Sequence, residues 1–229
     1  MGIYCSVSEE EEDTGASGRK DRAAEGGITM KQREGGITMK QRLQVLTVSA
    51  IALISAMAQA AGFEMTPAVQ AELDKQKAVV AGWAASPVIV NAVVEQNRKG
   101  PIPGMDNPKW KVTRRSDPLV TGMQNNPAGQ FLKAKAEESR GAVSEAFLSA
   151  TRGEKVAFVE KTTSYIHVGQ AKFDVPFNNG RAWQGNAEFD ESAQTYQIQI
   201  SVPVLQEGKP IGALVVGVNL SHLEKISKK

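Results

Sequence analysis

The sequence predicts an α+β domain, with helices in the first half of the folded part and about five antiparallel strands in the second. Three observations carry this. Hydroxyl, Asp or Asn residues stand directly before proline at Thr66-Pro67, Ser86-Pro87, Asn107-Pro108 and Asp117-Pro118, a repeated helix-start signal. Near Val143 the pattern changes to short β-rich runs separated by turn residues. Finally, 195–205 alternates strictly: Tyr196, Ile198, Ile200, Val202 and Val204 on one side, and Gln197, Gln199, Ser201 and Pro203 on the other.

Taken in order, the first helix starts at Thr66-Pro67 and carries Val69, Leu73, Val80 and Trp83 on one face. Ser86-Pro87 kinks or restarts it, and Val88, Ile89, Val93 and Val94 continue it to about Asn97. Residues 99–104 form a Gly/Pro loop. Helices follow from Asn107-Pro108 and Asp117-Pro118 and over 127–139. Strands are expected at 143–150 and 155–160, joined by the turn Thr151-Arg152-Gly153-Glu154. Residues 160–180 are irregular except for a helical turn at 170–173. A third strand covers 181–189, the alternating strand 195–205, and the last 210–219 after the turn 206–209. His222 is placed in a short surface tail.

The N-terminal region has a different character. Lys40 and Arg42 precede an apolar run at 43–57, closed by Ala58-Gln59-Ala60, the three parts of a signal peptide cleaved after Ala60. The alternative is an uncut inner-membrane anchor, although the run is shorter than the ~20 residues of a spanning helix. Residues 1–38 contain Glu9-Glu10-Glu11-Glu12-Asp13 and most of a tandem copy of Glu-Gly-Gly-Ile-Thr-Met-Lys-Gln-Arg, and are expected to be a non-native leader or disordered extension with translation starting at Met30 or Met39. The domain division is therefore leader 1–38, signal peptide 39–60 and one domain over 61–229, with a periplasmic location.

Residues 61–229 hold 20 Lys+Arg against 17 Asp+Glu, too balanced for nucleic-acid binding. Cys5, the only cysteine, lies in the leader, so disulfides, thiolate chemistry and cysteine-ligated metals are not expected. His167 and His222, the two histidines, lack partners at ligand spacing, so no enzyme, metal or cofactor is expected.

Several segments resemble Cache domains, the extracytoplasmic PAS-like sensor modules of bacteria. Phe147-Leu148-Ser149-Ala150-Thr151-Arg152-Gly153-Glu154-Lys155-Val156-Ala157 resembles their first hairpin. Thr163-Ser164-Tyr165 with Gly169 resembles a Thr-Ser-Asp-Tyr segment, except that Ser164 runs straight into Tyr165 without the Asp. Phe189-Asp190-Glu191-Ser192, the strand 198–204, Gly208-Lys209-Pro210-Ile211-Gly212-Ala213 and Val216-Gly217-Val218 complete the order, with Met105-Asp106 and Trp110 in the helical part. The resemblance spans most of 73–223 and implies a long N-terminal helix and a helical segment packed on a PAS-like sheet. It also implies a small polar metabolite as ligand, a membrane signalling partner and a possible homodimer. The chain stops at Lys229 with no output module, so a stand-alone member is expected.

The segment 162–183 is the candidate ligand site, being the longest irregular connection among the strands. Tyr165, His167, Phe173, Arg181 and Trp183, with Asp190 beyond, supply aromatic walls and a cation suited to a carboxylate or an amino acid. Lys172 is expected to be solvated. Arg181-Ala182-Trp183 resembles the Arg-x-Trp of amino-acid-binding double Cache domains, with Gln184 in place of the next aromatic. The alternative function is a ligand-free periplasmic interaction or structural protein, pairing through its long N-terminal helix.

Overall fold

The computed structural model describes residues 62–191 and 194–228; the expected leader and signal peptide, and Ser192, lie outside them. Among the described residues the helices are α1 (Pro67–Ala84), α2 (Pro87–Lys99), α3 (Asn107–Val112), α4 (Pro118–Asn125), α5 (Pro127–Glu138), α6 (Ala171–Asn179) and α7 (Leu220–Ser227). The strands are β1 (Val143–Ala150), β2 (Lys155–Phe158), β3 (Trp183–Asp190), β4 (Thr195–Gln206) and β5 (Lys209–Asn219). They form one antiparallel sheet in the order β2-β1-β5-β4-β3.

The proline signals mark helix starts, although at Asn107-Pro108 the cap is Asp106, one residue earlier, and Asn107 opens the helix. The side chains of Thr66, Asp106, Asp117 and Asn126 accept the N–H groups of Val69 (3.3 Å), Lys109 (2.8 Å), Leu119 (2.9 Å) and Gly129 (2.8 Å), filling donors that a helix start leaves open. Ser86 makes no side-chain cap, and α1 and α2 meet there at 61°. No single described helix is long and apolar enough to cross a membrane.

The alternation of β4 sorts the two faces of the sheet. Ile198, Ile200, Val202 and Val204 join Ala146, Leu148, Leu214 and Val216 on the face covered by Val69, Leu73, Val80, Ile89, Val93, Leu132, Leu220 and Leu223 of α1, α2, α5 and α7. The opposite face carries Phe147 and Val215, packed with Trp110, Val120, Phe158 and Tyr165. β5 lies between these layers and is buried without interruption from Gly212 to Val218.

Three local expectations need correction. The turn at 170–173 is a full helix, α6, which tolerates Pro176 because Phe173 and Pro176 are buried and Gly180 ends it in a left-handed turn (φ 62°). β2 stops at Phe158, since the chain bends away at Val159. The tail is helix α7: Asn219 accepts the His222 N–H (2.9 Å), and Leu220 and Leu223 are buried, so His222 sits on a packed helix.

Candidate functional site

Cross-strand partners in an antiparallel sheet share a face. Three rows run across the face opposite α1. One is Phe158–Phe147–Val215–Ser201–Trp183. The second is Lys155–Ser149–Ala213–Pro203, and the third Glu145–Gly217–Gln199. The helix α6 packs over β5, β4 and β3, bringing Lys172 and Phe173 to this face. The segment 162–170 folds onto the β1–β2 turn, where the Lys155 N–H bonds Tyr165 O (3.0 Å) and the His167 N–H bonds Gly153 O (2.9 Å). Gly153 has φ +73°, and a Cβ there would lie 2.5 Å from Val168 N, so this approach requires glycine.

Together these elements enclose a polar cluster. Lys155 is fully buried, with Nζ 3.8 Å from the Phe147 ring centroid and 5.6 Å from that of Phe158. It has no hydrogen-bond partner among the described residues, and neither has the buried Ser201 Oγ. Burial lowers the Lys155 ammonium to about 7, against the pull of Glu145 and with repulsion from Lys172 and Lys161. The Lys172 Nζ donates to Gln199 Oε1 (3.0 Å), and Gln199 Nε2 donates to Glu145 Oε1 (3.4 Å). Gly217 lies between Glu145 and Gln199; a Cβ there would sit 2.8 Å from Ser144 Oγ and 3.1 Å from Glu145 Cβ. Burial raises the Glu145 carboxyl above the usual range, opposed by Lys155 and Lys172.

His167 stacks on Phe147 at 4.6 Å. Its Nδ1 lies 3.2 Å from Gly153 O and 3.4 Å from Ser149 Oγ. A carbonyl can only accept, which assigns the proton to Nδ1. Burial and the neighbouring Lys155 lower its imidazolium to about 3, so the ring is neutral at physiological pH.

Beside this cluster, an open cavity of about 290 Å³ lies along β3 and β4, lined by Trp183, Gly185, Asn186, Glu188, Gln197 and Gln199 among others. Gln199 belongs to both, joining the open wall to the buried charges.

The structure brings some of the expected site residues together. His167 and Phe173 are buried on this face, and Trp183 stands half-buried in the cavity wall. Tyr165 is an anchor in the aromatic core: its hydroxyl accepts the Ile102 N–H (3.0 Å), and its own N–H donates to Asn107 Oδ1 (2.8 Å). Burial raises the Tyr165 phenol, against the hydrogen bond from Ile102. Arg181 is exposed on the link between α6 and β3. Asp190, at the far end of β3, accepts from Gln197 Nε2 (3.2 Å). Lys172 departs from the solvated placement expected for it, being partly buried and bonded to Gln199. Sequence reasoning missed Lys155, Glu145, Gln199 and Ser201. The available signal was Lys155 opening the otherwise apolar strand Lys-Val-Ala-Phe, every residue of which is buried. Among the described residues no group of three His, Cys, Asp or Glu side chains is placed to hold a metal ion.

No family model and no curated protein matches the sequence. Solved structures similar to this chain include the ligand-binding domain of the Pseudomonas aeruginosa PAO1 amino acid chemoreceptor PctC in complex with GABA (TM-score 0.41, 14% identity, 79% of this chain and 64% of that one). They also include the sensory domain of the Campylobacter jejuni chemoreceptor Tlp3 with isoleucine bound (TM-score 0.40, 14% identity, 85% and 69%). A third is the E. coli DcuS sensor domain (TM-score 0.42, 13% identity, 72% and 100%). The α+β architecture expected from the sequence, a long N-terminal helix and helical segments packed on a five-stranded antiparallel sheet, is the one observed.

Proposed function

We propose that residues 61–229 form an exported Cache-type sensor domain that binds a small carboxylate at the Lys155 cluster and passes its ligand state to a membrane signalling partner. The observation that supports this is the fully buried Lys155 Nζ, without a hydrogen-bond partner, on the same face as the unpartnered Ser201 Oγ. A buried cation is costly unless an anion and hydrogen bonds compensate it. A carboxylate oxygen would accept from the Lys155 ammonium, with Lys172, whose charge already acts on Lys155, able to leave Gln199 for the same anion. The cavity beside Trp183 shares Gln199 with the cluster. Export rests on the signal segment 39–60 with cleavage after Ala60; retention of 43–57 gives the anchored alternative.

A thermal-shift panel of small carboxylates and amino acids tests the reading. A ligand at a hundredfold excess over its Kd adds about 2.7 kcal/mol to stability. The expected result is a rise in Tm that Lys155→Met abolishes. Failure of the whole panel, together with self-association in sedimentation, would replace the sensor by an interaction protein that pairs through α1.

A further inference from the structure

Lys155 is surrounded by groups that do not satisfy it. From β1, Phe147 presents its ring at 3.8 Å and Glu145 its carboxyl, but that carboxyl is bonded to Gln199 and makes no ion pair or hydrogen bond with Nζ. From β2, Phe158 closes a second side. From α6, Lys172 adds a like charge that is itself bonded to Gln199. From the segment after β2, Lys161 adds another, and His167 contributes a neutral ring whose Nδ1–H is committed to Gly153 O. Ser149, the cross-strand neighbour of Lys155, has its hydroxyl near His167, and the Ser201 hydroxyl is unpaired. No acceptor oxygen among the described residues reaches Nζ, so the ammonium form has only the Phe147 ring face and the more distant Glu145 charge to hold it, and no hydrogen bond until an acceptor arrives.

We propose that carboxylate binding at this cluster loads one solvent proton onto Lys155, so that the domain registers the carboxylate and the ambient pH together. The proposal rests on the carboxylate reading above and adds a stoichiometry to it. The step is non-covalent. The Nζ amine takes a proton from water or buffer and becomes an ammonium, which donates to a ligand oxygen, and the ligand keeps its single negative charge. Burial away from water, the absence of any acceptor and two like charges, Lys172 and Lys161, favour the free amine; Glu145 and the Phe147 ring face pull the other way. With the free ammonium at about 7, roughly nine-tenths of the sites are unprotonated at pH 8 and about one-tenth at pH 6. Only the unprotonated fraction has a proton to take up. Affinity then weakens roughly tenfold for each pH unit above about 7, as the free site loses its proton.

The experiment is isothermal titration with acetate, pyruvate, succinate, glycine and alanine, run at pH 6 and pH 8 in two buffers of different ionisation enthalpy. For a binding carboxylate the expected uptake is about 0.9 proton at pH 8 and about 0.1 at pH 6. Lys155→Met is expected to lose both the uptake and the tight binding, and its near-ultraviolet circular dichroism reports whether it is folded. Should that variant not fold, the two-buffer comparison on the unaltered protein decides alone. Binding at pH 8 with no proton uptake overturns the proposal and leaves the carboxylate reading standing. Binding that survives Lys155→Met unchanged, or no binding by any of the five compounds, overturns both.

Discussion

Replacing Lys155 by Met makes the unliganded domain more stable at neutral pH and removes a specific slope from its pH profile. The Lys155 ammonium is lowered by burial from 10.5 to about 7. The unfolded chain therefore binds more protons than the folded one between these values, and stability rises as pH rises through that window. The full difference is about 5 kcal/mol; between pH 7 and pH 9 the part regained is about 2 kcal/mol. Met occupies a similar volume beside Phe147 and Phe158, has no charge to desolvate, and removes the term entirely. Urea unfolding of both proteins at pH 6, 7, 8 and 9 is the assay. The variant is expected to lead by the largest margin at pH 6 and to lose roughly 3 kcal/mol of that lead by pH 9. The other members of the cluster do not reproduce this curve. His167, held at about 3, loses stability only as pH falls below 6.5, and the raised Glu145 carboxyl lowers stability as pH rises above 4.5. A stability difference that stays flat from pH 6 to pH 9 would refute the argument that Lys155 is buried unpaired.

Two further outcomes follow from the same geometry. Gly153→Ala is expected to cost at least 1–3 kcal/mol in urea unfolding, the usual range for a residue forced into the left-handed region, with the Val168 N contact at 2.5 Å adding to it; a loss under about 0.5 kcal/mol would mean that the segment 162–170 does not need this approach. Arg181→Ala is expected to leave unliganded stability within about 0.5 kcal/mol, since Arg181 is exposed on the link between α6 and β3, and to leave carboxylate affinity unchanged, since the Lys155 cluster is built without it; a clear loss of affinity by calorimetry would bring Arg181 into the site.

The fold was legible because its signals are local. Three of the five helix-start prolines directly follow a residue whose side chain caps the helix, a fourth follows its cap Asp106 by two, and the alternation over 195–205 places Ile198, Ile200, Val202 and Val204 in the core. Where packing overrides local preference, the sequence is less informative. Pro176 disguises α6, which is held by burial of Phe173 on a sheet contributed by distant strands. The site is harder still. Lys155 looks like the polar residue that follows a turn, and only its pairing with Ser149, the packing of 162–170 and the roof provided by α6 make it an interior cation. Tyr165 and His167 are two residues apart and look equivalent in the chain. Yet one is committed to Ile102 and Asn107, whereas the other stacks on Phe147 within the cluster.

The two faces of the sheet differ in kind. The face toward α1, α2, α5 and α7 is filled by apolar side chains, and such a core is where a domain of this size obtains most of its stability. On the other face, Lys155, His167 and Ser201 occupy interior positions that apolar residues of similar volume would fill at lower cost, beside the half-buried Glu145. The aromatic cluster around Trp110 secures one end of that face, which leaves the polar end free to carry groups that do not stabilise the empty domain. Lys155 is buried in β2 without a hydrogen-bond partner, a position that an apolar residue would fill at lower cost. The polar bridge through Gln199 then makes the open cavity and the buried charge one unit, because moving Lys172 or Glu145 changes what Gln199 can offer to the cavity wall.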